Sequence, residues 1–299
     1  MKSAIHSLTA FAALAFAAPS ITIPPPALAA SDKNATLSAR GTDAPYGIKK
    51  GLAYNNGAVT DILSRPGSAT WAYNWGAAQS APKFQQIPMH WGVGPEGDKD
   101  GIWRKINAGD TPYVLRYNEP DFPRPDGCDA TPKRAYAAWG NDMFRFSDAG
   151  AKLVCPGISS YNVERGFTGG PSGLTWLRRF ASIGNNPDQF RCSAQAIHWY
   201  GEPNRPAAYQ AELFKKYVSD TRREVNDIFR KDMPLWITEF APEPRDDVNL
   251  MADFLRIVVP WLDQQDYVHR YAPFWAESMV DLWRNDLNNA GRAFVESRG

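Results

Sequence analysis

Short apolar or aromatic runs recur along this chain, and helical patterning fills the longer stretches between them. That alternation limits the possible folds more than any other feature. The runs fall at 51–55, 69–75, 84–91, 112–119, 152–158, 194–200, 234–240 and 268–275. Each has the length and the β-branched or aromatic content of a buried strand. Between them, Thr131-Pro132 is a cap followed by proline at the first helical position. Ala135, Trp139, Met143 and Phe146 then recur three and four apart, giving one apolar stripe. Stretches 208–229 and 248–262 behave in the same way. Strand–helix alternation repeated eight times predicts an α/β fold, a (β/α)8 barrel. A doubly wound sheet would carry a glycine-rich phosphate turn after its first strand. Here the first run ends in Tyr54-Asn55-Asn56-Gly57. One segment, 76–83, is too short for a crossover helix, which takes about a dozen residues or more. The barrel is therefore expected to have an irregular first half, with a short or missing helix after its second strand.

The start of the chain has a different character. Lys2 is its one charged residue before Asp32, and 8–18 is an apolar run. Ala27-Leu28-Ala29 is a small-x-small cleavage site, so 1–29 reads as a secretory signal peptide. A polar, loose leader is expected over 30–46 and the barrel over 47–299. The apolar run is shorter than the roughly 20 residues a bilayer span needs. Export permits disulfides, and of the three cysteines Cys155 and Cys192 are expected on or near adjacent strands, leaving Cys128 over. Asn34-Ala35-Thr36 is a glycosylation sequon for a eukaryotic host. The 33 Lys+Arg nearly balance the 32 Asp+Glu, which argues against nucleic acid as a partner.

In a barrel of this kind the active site lies at the C-terminal ends of the strands. The polar or aromatic residues there are Asn55, Asn74 and Trp75, His90 and Trp91, Asn118 and Glu119, His198 and Tyr200, Glu239 and Trp275. Glu119 and Glu239 end apolar strands, where an ionised group is costly unless paired or functional. Two carboxyl groups among aromatics suit glycoside hydrolysis: one protonates the leaving oxygen, the other attacks the anomeric carbon or activates water. The competing reading pairs each Glu with an arginine such as Arg116 in a structural salt bridge. Strict alternation would put Asn118 and Glu119 on opposite faces, so both serve one site only if the strand end twists or bulges. Glu277 and Asp281 could add cleft carboxylates or be ordinary loop charges.

Asn118-Glu119-Pro120 resembles the Asn-Glu-Pro signature of clan A glycoside hydrolases, and Thr238-Glu239-Phe240 their second carboxylate on strand seven. Five further motifs follow in order: Lys50-Gly51-Leu52-Ala53-Tyr54-Asn55, Tyr73-Asn74-Trp75, Pro88-Met89-His90-Trp91-Gly92, Ala196-Ile197-His198-Trp199-Tyr200-Gly201 and Trp236-Ile237-Thr238-Glu239-Phe240-Ala241. Together they resemble the glycosyl hydrolase catalytic core family, glycoside hydrolase family 128, which contains secreted β-1,3-glucanases. The resemblance implies Glu119 as acid/base and Glu239 as nucleophile, with retention of configuration. It implies Asn118 on the sugar 2-hydroxyl, and Tyr200 or His198 orienting Glu239. It implies no metal or organic cofactor and β-glucan as partner; an endo-acting monomer, secreted to the cell wall or outside the cell, is expected, with endo against exo action and oligomeric state left open by the sequence. Arg116 departs from the small or apolar residue expected there; turned inward, it would narrow the cleft.

The 11 Trp divide by position. Trp139, Trp176 and Trp261 lie in helical patterns and read as core, and Trp236 as packing within the barrel. Trp199 should point away from the face of His198 and Tyr200. Trp75, Trp91 and Trp275 end strands and are candidates for stacking on sugar rings, with Tyr54 and Asn55 completing the expected substrate contacts. Two rivals stay open: a clan A hydrolase of another polysaccharide, and a barrel that binds wall glucan without cleaving it.

Overall fold

A computed structural model describes residues 49–298 apart from 79, 95, 96 and 185. The expected signal peptide, the leader and the sequon lie outside the described residues. Eight short strands lie parallel in two sheets. The first sheet holds β1 (Gly51–Ala53), β2 (Trp71–Tyr73) and β3 (Gln85–Gln86). The second runs in chain order through β4 (Tyr113–Leu115), β5 (Lys152–Ile158), β6 (Cys192–Tyr200), β7 (Leu235–Ala241) and β8 (Val268–Tyr271). These five curve as a half-barrel. Single parallel bridges, Met89 to Leu115 and Lys50 to Tyr271, join the two sheets at both edges.

Helices follow most strands: α1 (Gly57–Leu63), α2 (Lys99–Asn107), α3 (Pro132–Asp148), α4 (Gly173–Ser182), α5 (Ala207–Phe229), α6 (Val248–Gln264) and α7 (Asn289–Glu296). As the spacing predicts, β2 runs to β3 with no helix between them among the described residues. The Thr131 hydroxyl caps α3 by accepting from the Arg134 amide, and Asp247 caps α6 through the Asn249 and Leu250 amides. The third, fourth and eighth strands stop short of the runs that predict them. Pro88 and Pro273 fall in two of those runs, and neither can donate to a ladder.

Two apolar layers sandwich the strands. The outer layer joins strands to helices and holds Trp139, Trp176 and Trp199, with the last stacked on Phe254. The inner layer takes residues from all eight strand segments, from Ala53, Trp71 and Met89 round to Trp236 and Ala272. Large rings face small residues here: Trp71 and Trp236, 5.4 Å apart, fill space left by Ala53, Ala194, Ala196 and Ala272. Gly51 is required for this, since a Cβ there would meet the Trp71 ring at 2.1 Å. Cys155 and Cys192 form the expected disulfide between β5 and β6, and Cys128 is buried. No helix of the described residues is long and apolar enough to cross a membrane.

Arg116 corrects an expectation. It does not face a catalytic glutamate. Its fully buried guanidinium points outward to α3, donating to Asp142 Oδ2 at 2.9 Å and lying over the Tyr117 ring. Lys99 shares that carboxylate at 2.9 Å. His90 turns to the same place, 4.0 Å from Asp142, and burial beside Arg116 lowers its imidazole to about 4. A buried arginine stripped of its counter-ion is costly. Asp142→Asn should therefore lower the unfolding free energy by about 3 kcal/mol. Urea denaturation tests this, and an unchanged midpoint would refute the role given to the pair.

Candidate active site

The regular pairing of β4 ends at Leu115, three residues before the predicted site. Beyond it, successive amides reach to opposite neighbours. Asn118 donates to the Trp91 carbonyl at 2.9 Å, and Glu119 donates to the Gly157 carbonyl at 2.8 Å. Glu119 adopts φ +36°, in the left-handed region that L-residues rarely enter. Regular alternation therefore ends at this point, as expected for a strand end that carries Glu119 to the site. The Cys128 amide returns to the carbonyls of Asn118 and Glu119 and fixes the turn.

A second irregularity sets the partner strand. β6 and β7 pair Ile197 with Ile237, then shift so that His198 lies opposite Glu239. The shift passes over Thr238 and puts the imidazole beside the carboxylate. His198 Nδ1 is 2.9 Å from Glu119 Oε1 and 3.6 Å from Glu239 Oε2. Its Nε2 shares a hydrogen bond of 2.9 Å with the Thr238 hydroxyl, whose backbone carbonyl accepts from Tyr73 Oη at 2.8 Å. Gly157 leaves room for the ring: a Cβ there would meet His198 Nε2 at 2.9 Å.

Glu239 accepts from two aromatic donors. Trp75 Nε1 donates to Oε1 at 2.8 Å and Tyr200 Oη donates to Oε2 at 2.6 Å. All three titratable residues are over nine-tenths buried: Glu119 is 8% exposed, Glu239 5% and His198 1%. A carboxylate oxygen of each Glu and a ring nitrogen of His198 lie within 4.8 Å of one another.

Burial pushes the Glu119 carboxyl up to about 7, against the opposing pull of His198 and with Glu239 adding to the rise. Burial alone would lower the His198 imidazole. The negative charges of Glu239, Glu119 and Asp121 and the bond to Glu119 outweigh it, so its pKa is raised. Glu119, His198 and Glu239 present the donor types that hold a transition metal. Yet both oxygens of Glu239 already accept from Trp75 and Tyr200, and Glu119 bonds the one ring nitrogen that faces both acids. The arrangement suits proton exchange between a buried acid and its histidine better than convergence on a cation.

The other predicted residues have the following surroundings. Asn118 is 4% exposed, its Nδ2 donates to the Asp126 carbonyl, and its buried Oδ1 has no protein partner. Trp75 enters as a hydrogen-bond donor, with its ring packed on Tyr73 and Phe274. Trp275 stacks on Phe274, and Trp91 lies under the Arg124 guanidinium. Tyr54 is a correction. It is fully buried in the outer layer, accepts from the Ser80 amide, and stands apart from the carboxylate pair. Asn55 is exposed at the end of β1, where its amide donates to Glu277. Glu277 thus ties the ends of β1 and β8, and Asp281 caps a turn through the Trp283 and Arg284 amides, so both are structural.

Several contributors escape the strand-end rule. Phe274 walls the site. Arg245 pairs with Glu243 and lies over the Tyr200 and Phe274 rings. Thr238 and Gly157 each adjoin a recognised feature, so adjacency was their one sequence signal.

Residues 51–294 match the family profile described as the glycosyl hydrolase catalytic core. Among solved structures, the chain is similar to a curdlan-specific exo-β-1,3-glucanase of glycoside hydrolase family 128 (subgroup III) from Blastomyces gilchristii. The identity is 28% over 83% of this chain and 97% of that one, with a TM-score of 0.69. An endo-β-1,3-glucanase (subgroup II) from Sorangium cellulosum shares the fold at 24% identity, 83% and 98% coverage and a TM-score of 0.65. One of subgroup I from Amycolatopsis mediterranei, bound to laminaritriose and laminaribiose, does so at 22% identity, 84% and 100% coverage and a TM-score of 0.62. A curated relative, alkali-sensitive linkage protein 1 of Schizosaccharomyces pombe, is 25% identical over 84% of this chain, which spans 42% of that protein's length. With a profile match that spans most of its length, the chain belongs to the glycosyl hydrolase catalytic core family.

Proposed function

We propose that this chain is a retaining, endo-acting β-1,3-glucanase of glycoside hydrolase family 128. The observation that carries the reading is the closeness of the two buried carboxyl groups. Retaining enzymes hold them about 5–5.5 Å apart, whereas inverting ones leave a wider gap for water. Oxygens of Glu119 and Glu239 within 4.8 Å of each other support the first geometry.

The roles follow from hydrogen bonding. Two donors hold the Glu239 carboxyl in one orientation, which a nucleophile needs. Glu119, raised to about 7, holds a proton near neutrality and gives it to the glycosidic oxygen while Glu239 bonds to the anomeric carbon. Glu119, then ionised, takes a proton from the water that cleaves the glycosyl ester. His198 keeps the Glu119 carboxyl positioned through both steps. Asn118, whose buried Oδ1 has no protein partner, would accept from the sugar 2-hydroxyl, as the family resemblance implies. Trp75, Trp91 and Trp275 provide rings for neighbouring subsites, and aromatic groups on both sides of the acid pair favour a cut within a chain.

The bridges at both sheet edges, and an inner layer drawing on every strand, support closure into a (β/α)8 barrel. The signal-like start supports secretion.

Product release from linear β-1,3-glucan, with the new anomeric centre read by proton NMR, tests the proposal. Retained β-configuration is expected. Release from mannan or xylan alone would favour the wider clan, and glucan affinity without new reducing ends would favour a binding protein. Glu119→Gln should lower kcat by about 10²–10⁴-fold, and Glu239→Gln by at least as much, with circular dichroism unchanged. Full activity in either variant overturns the assignment.

The pH profile has a defined sign. Glu119 must be protonated to act as acid, so kcat/KM should fall as pH rises through about 7, and Glu119→Gln should remove that limb. Stability follows the same sign. A carboxyl whose folded pKa lies above its ordinary value supports the fold most at low pH, and loses that support as pH climbs through about 7. Glu119→Gln should therefore raise Tm above pH 7 relative to the parent protein.

Gly157→Ala supplies a positional test. Its Cβ would displace the His198 ring, and a shift of that size should lower kcat by about 10²-fold at unchanged Tm. An unaltered kcat would show that His198 does not need its present seat.

A further inference from the structure

Three aromatic side chains meet on loops beyond Glu119. Phe122 follows it by three residues, and Tyr161 and Phe167 come from the loop after β5. Tyr161 is 47% exposed and Phe167 60% exposed. The Phe122 and Tyr161 rings stack with centroids 6.0 Å apart, and Phe167 stands edge-on to both at 4.9 Å. Exposed rings gathered into one corner are unfavourable in water unless something covers them.

The loop that carries them is built, not loose. Ser172 donates to the Val163 carbonyl at 2.9 Å, and Gly166 donates to the Gly170 carbonyl at 2.7 Å, closing the loop on itself. The fully buried Asp121 fastens it to the Glu119 turn. Its carboxylate accepts from Ser159 Oγ at 2.5 Å and from the Gly173 amide at 2.7 Å, and the Ser159 hydroxyl in turn accepts from the Tyr161 amide. Asp121 is two residues from Glu119, so the rings and the acid are held by one short stretch of chain. Burial pushes the Tyr161 hydroxyl up, and the charges of Glu119 and Glu243 add to the rise.

The aromatics therefore form two groups. Trp75, Tyr200 and Phe274 surround Glu239, while Phe122, Tyr161 and Phe167 stand past Glu119. An acid that protonates the leaving oxygen faces the departing half of the substrate. We propose that the Phe122–Tyr161–Phe167 corner is a stacking platform for the leaving-group portion of the glucan, with Asp121 as the residue that positions it. This rests on the β-1,3-glucanase reading. The occupant is a run of pyranose rings, because the corner is tied to the Glu119 turn by the Phe122 amide, which donates to the Glu119 carbonyl at 3.0 Å, and it offers flat apolar faces.

The test uses Tyr161→Ser, Phe167→Ser and the double variant. Linear β-1,3-gluco-oligosaccharides of increasing length, labelled at the reducing end, report kcat/KM and which bond is cut. The double variant should lose about 10-fold in kcat/KM on the longest members and little on the shortest, and its cuts should move toward the reducing end. Asp121→Asn should shift the cleavage pattern in the same direction, because a disordered platform binds as poorly as a missing one. Identical length dependence and cleavage pattern in parent and double variant overturn the platform while leaving the glucanase reading intact. A parent protein inert on every member overturns both. If instead the parent forms a concentration-dependent dimer in sedimentation velocity that the double variant loses, with kinetics unchanged, the rings serve a second copy of the chain and the proposal fails.

Discussion

Two carboxyl groups within 4.8 Å of each other, both buried, cannot both ionise without help. At an effective dielectric near 20, their repulsion is about 3 kcal/mol. Most of the site is a response to that one constraint. His198 sits between the acids, and its raised pKa shows a positive charge being stabilised where two negative ones would otherwise meet. The rise at Glu119 is the other half of the response: the site keeps a proton on one acid instead of forcing two charges together. Gly157 gives the imidazole room, Thr238 fixes its far nitrogen, and the register shift between β6 and β7 brings it level with Glu239.

The same constraint explains why the best-formed sheet lies where it does. β5, β6 and β7 are the long strands, and they carry His198, Tyr200 and Glu239. Short strands β1 to β3 supply fewer polar contacts, with Trp75 as the exception. A side chain that must stay within a few tenths of an ångström of two acids belongs on a ladder anchored on both sides. Rings that need only offer a flat face can ride on loops, and the aromatics divide accordingly. Trp236 and Trp71 fill the inner layer, Trp199 and Trp139 the outer, and exposed Tyr161 and Phe167 stand on loops.

Much of this was legible in the sequence because it follows from periodicity. The eight strand positions, the capped start of α3, the missing helix after β2, and the outward turn of Trp199 are all consequences of repeat and alternation. The pairing of Cys155 with Cys192 follows from strand adjacency. What periodicity could not show are the places where it breaks. Glu119 reaches the site through a left-handed residue, and His198 meets Glu239 through a register shift, neither of which leaves a mark in a single sequence. Alternation fails for Arg116 and Tyr54 for a related reason. Polarity at a strand end does not say whether a side chain faces the inner or the outer layer. Arg116 found a carboxylate on α3, and Tyr54 found the Ser80 amide, both on the outside.

The roles of the two glutamates can be argued from their partners alone. Glu239 accepts one N–H and one O–H, each from an aromatic side chain, and is held by both. Glu119 is fastened to a single group that is itself a proton carrier, in a pocket whose main effect is to disfavour charge. Chemically identical side chains meet different surroundings because the fold gives one of them two donors and the other a dry wall and a histidine.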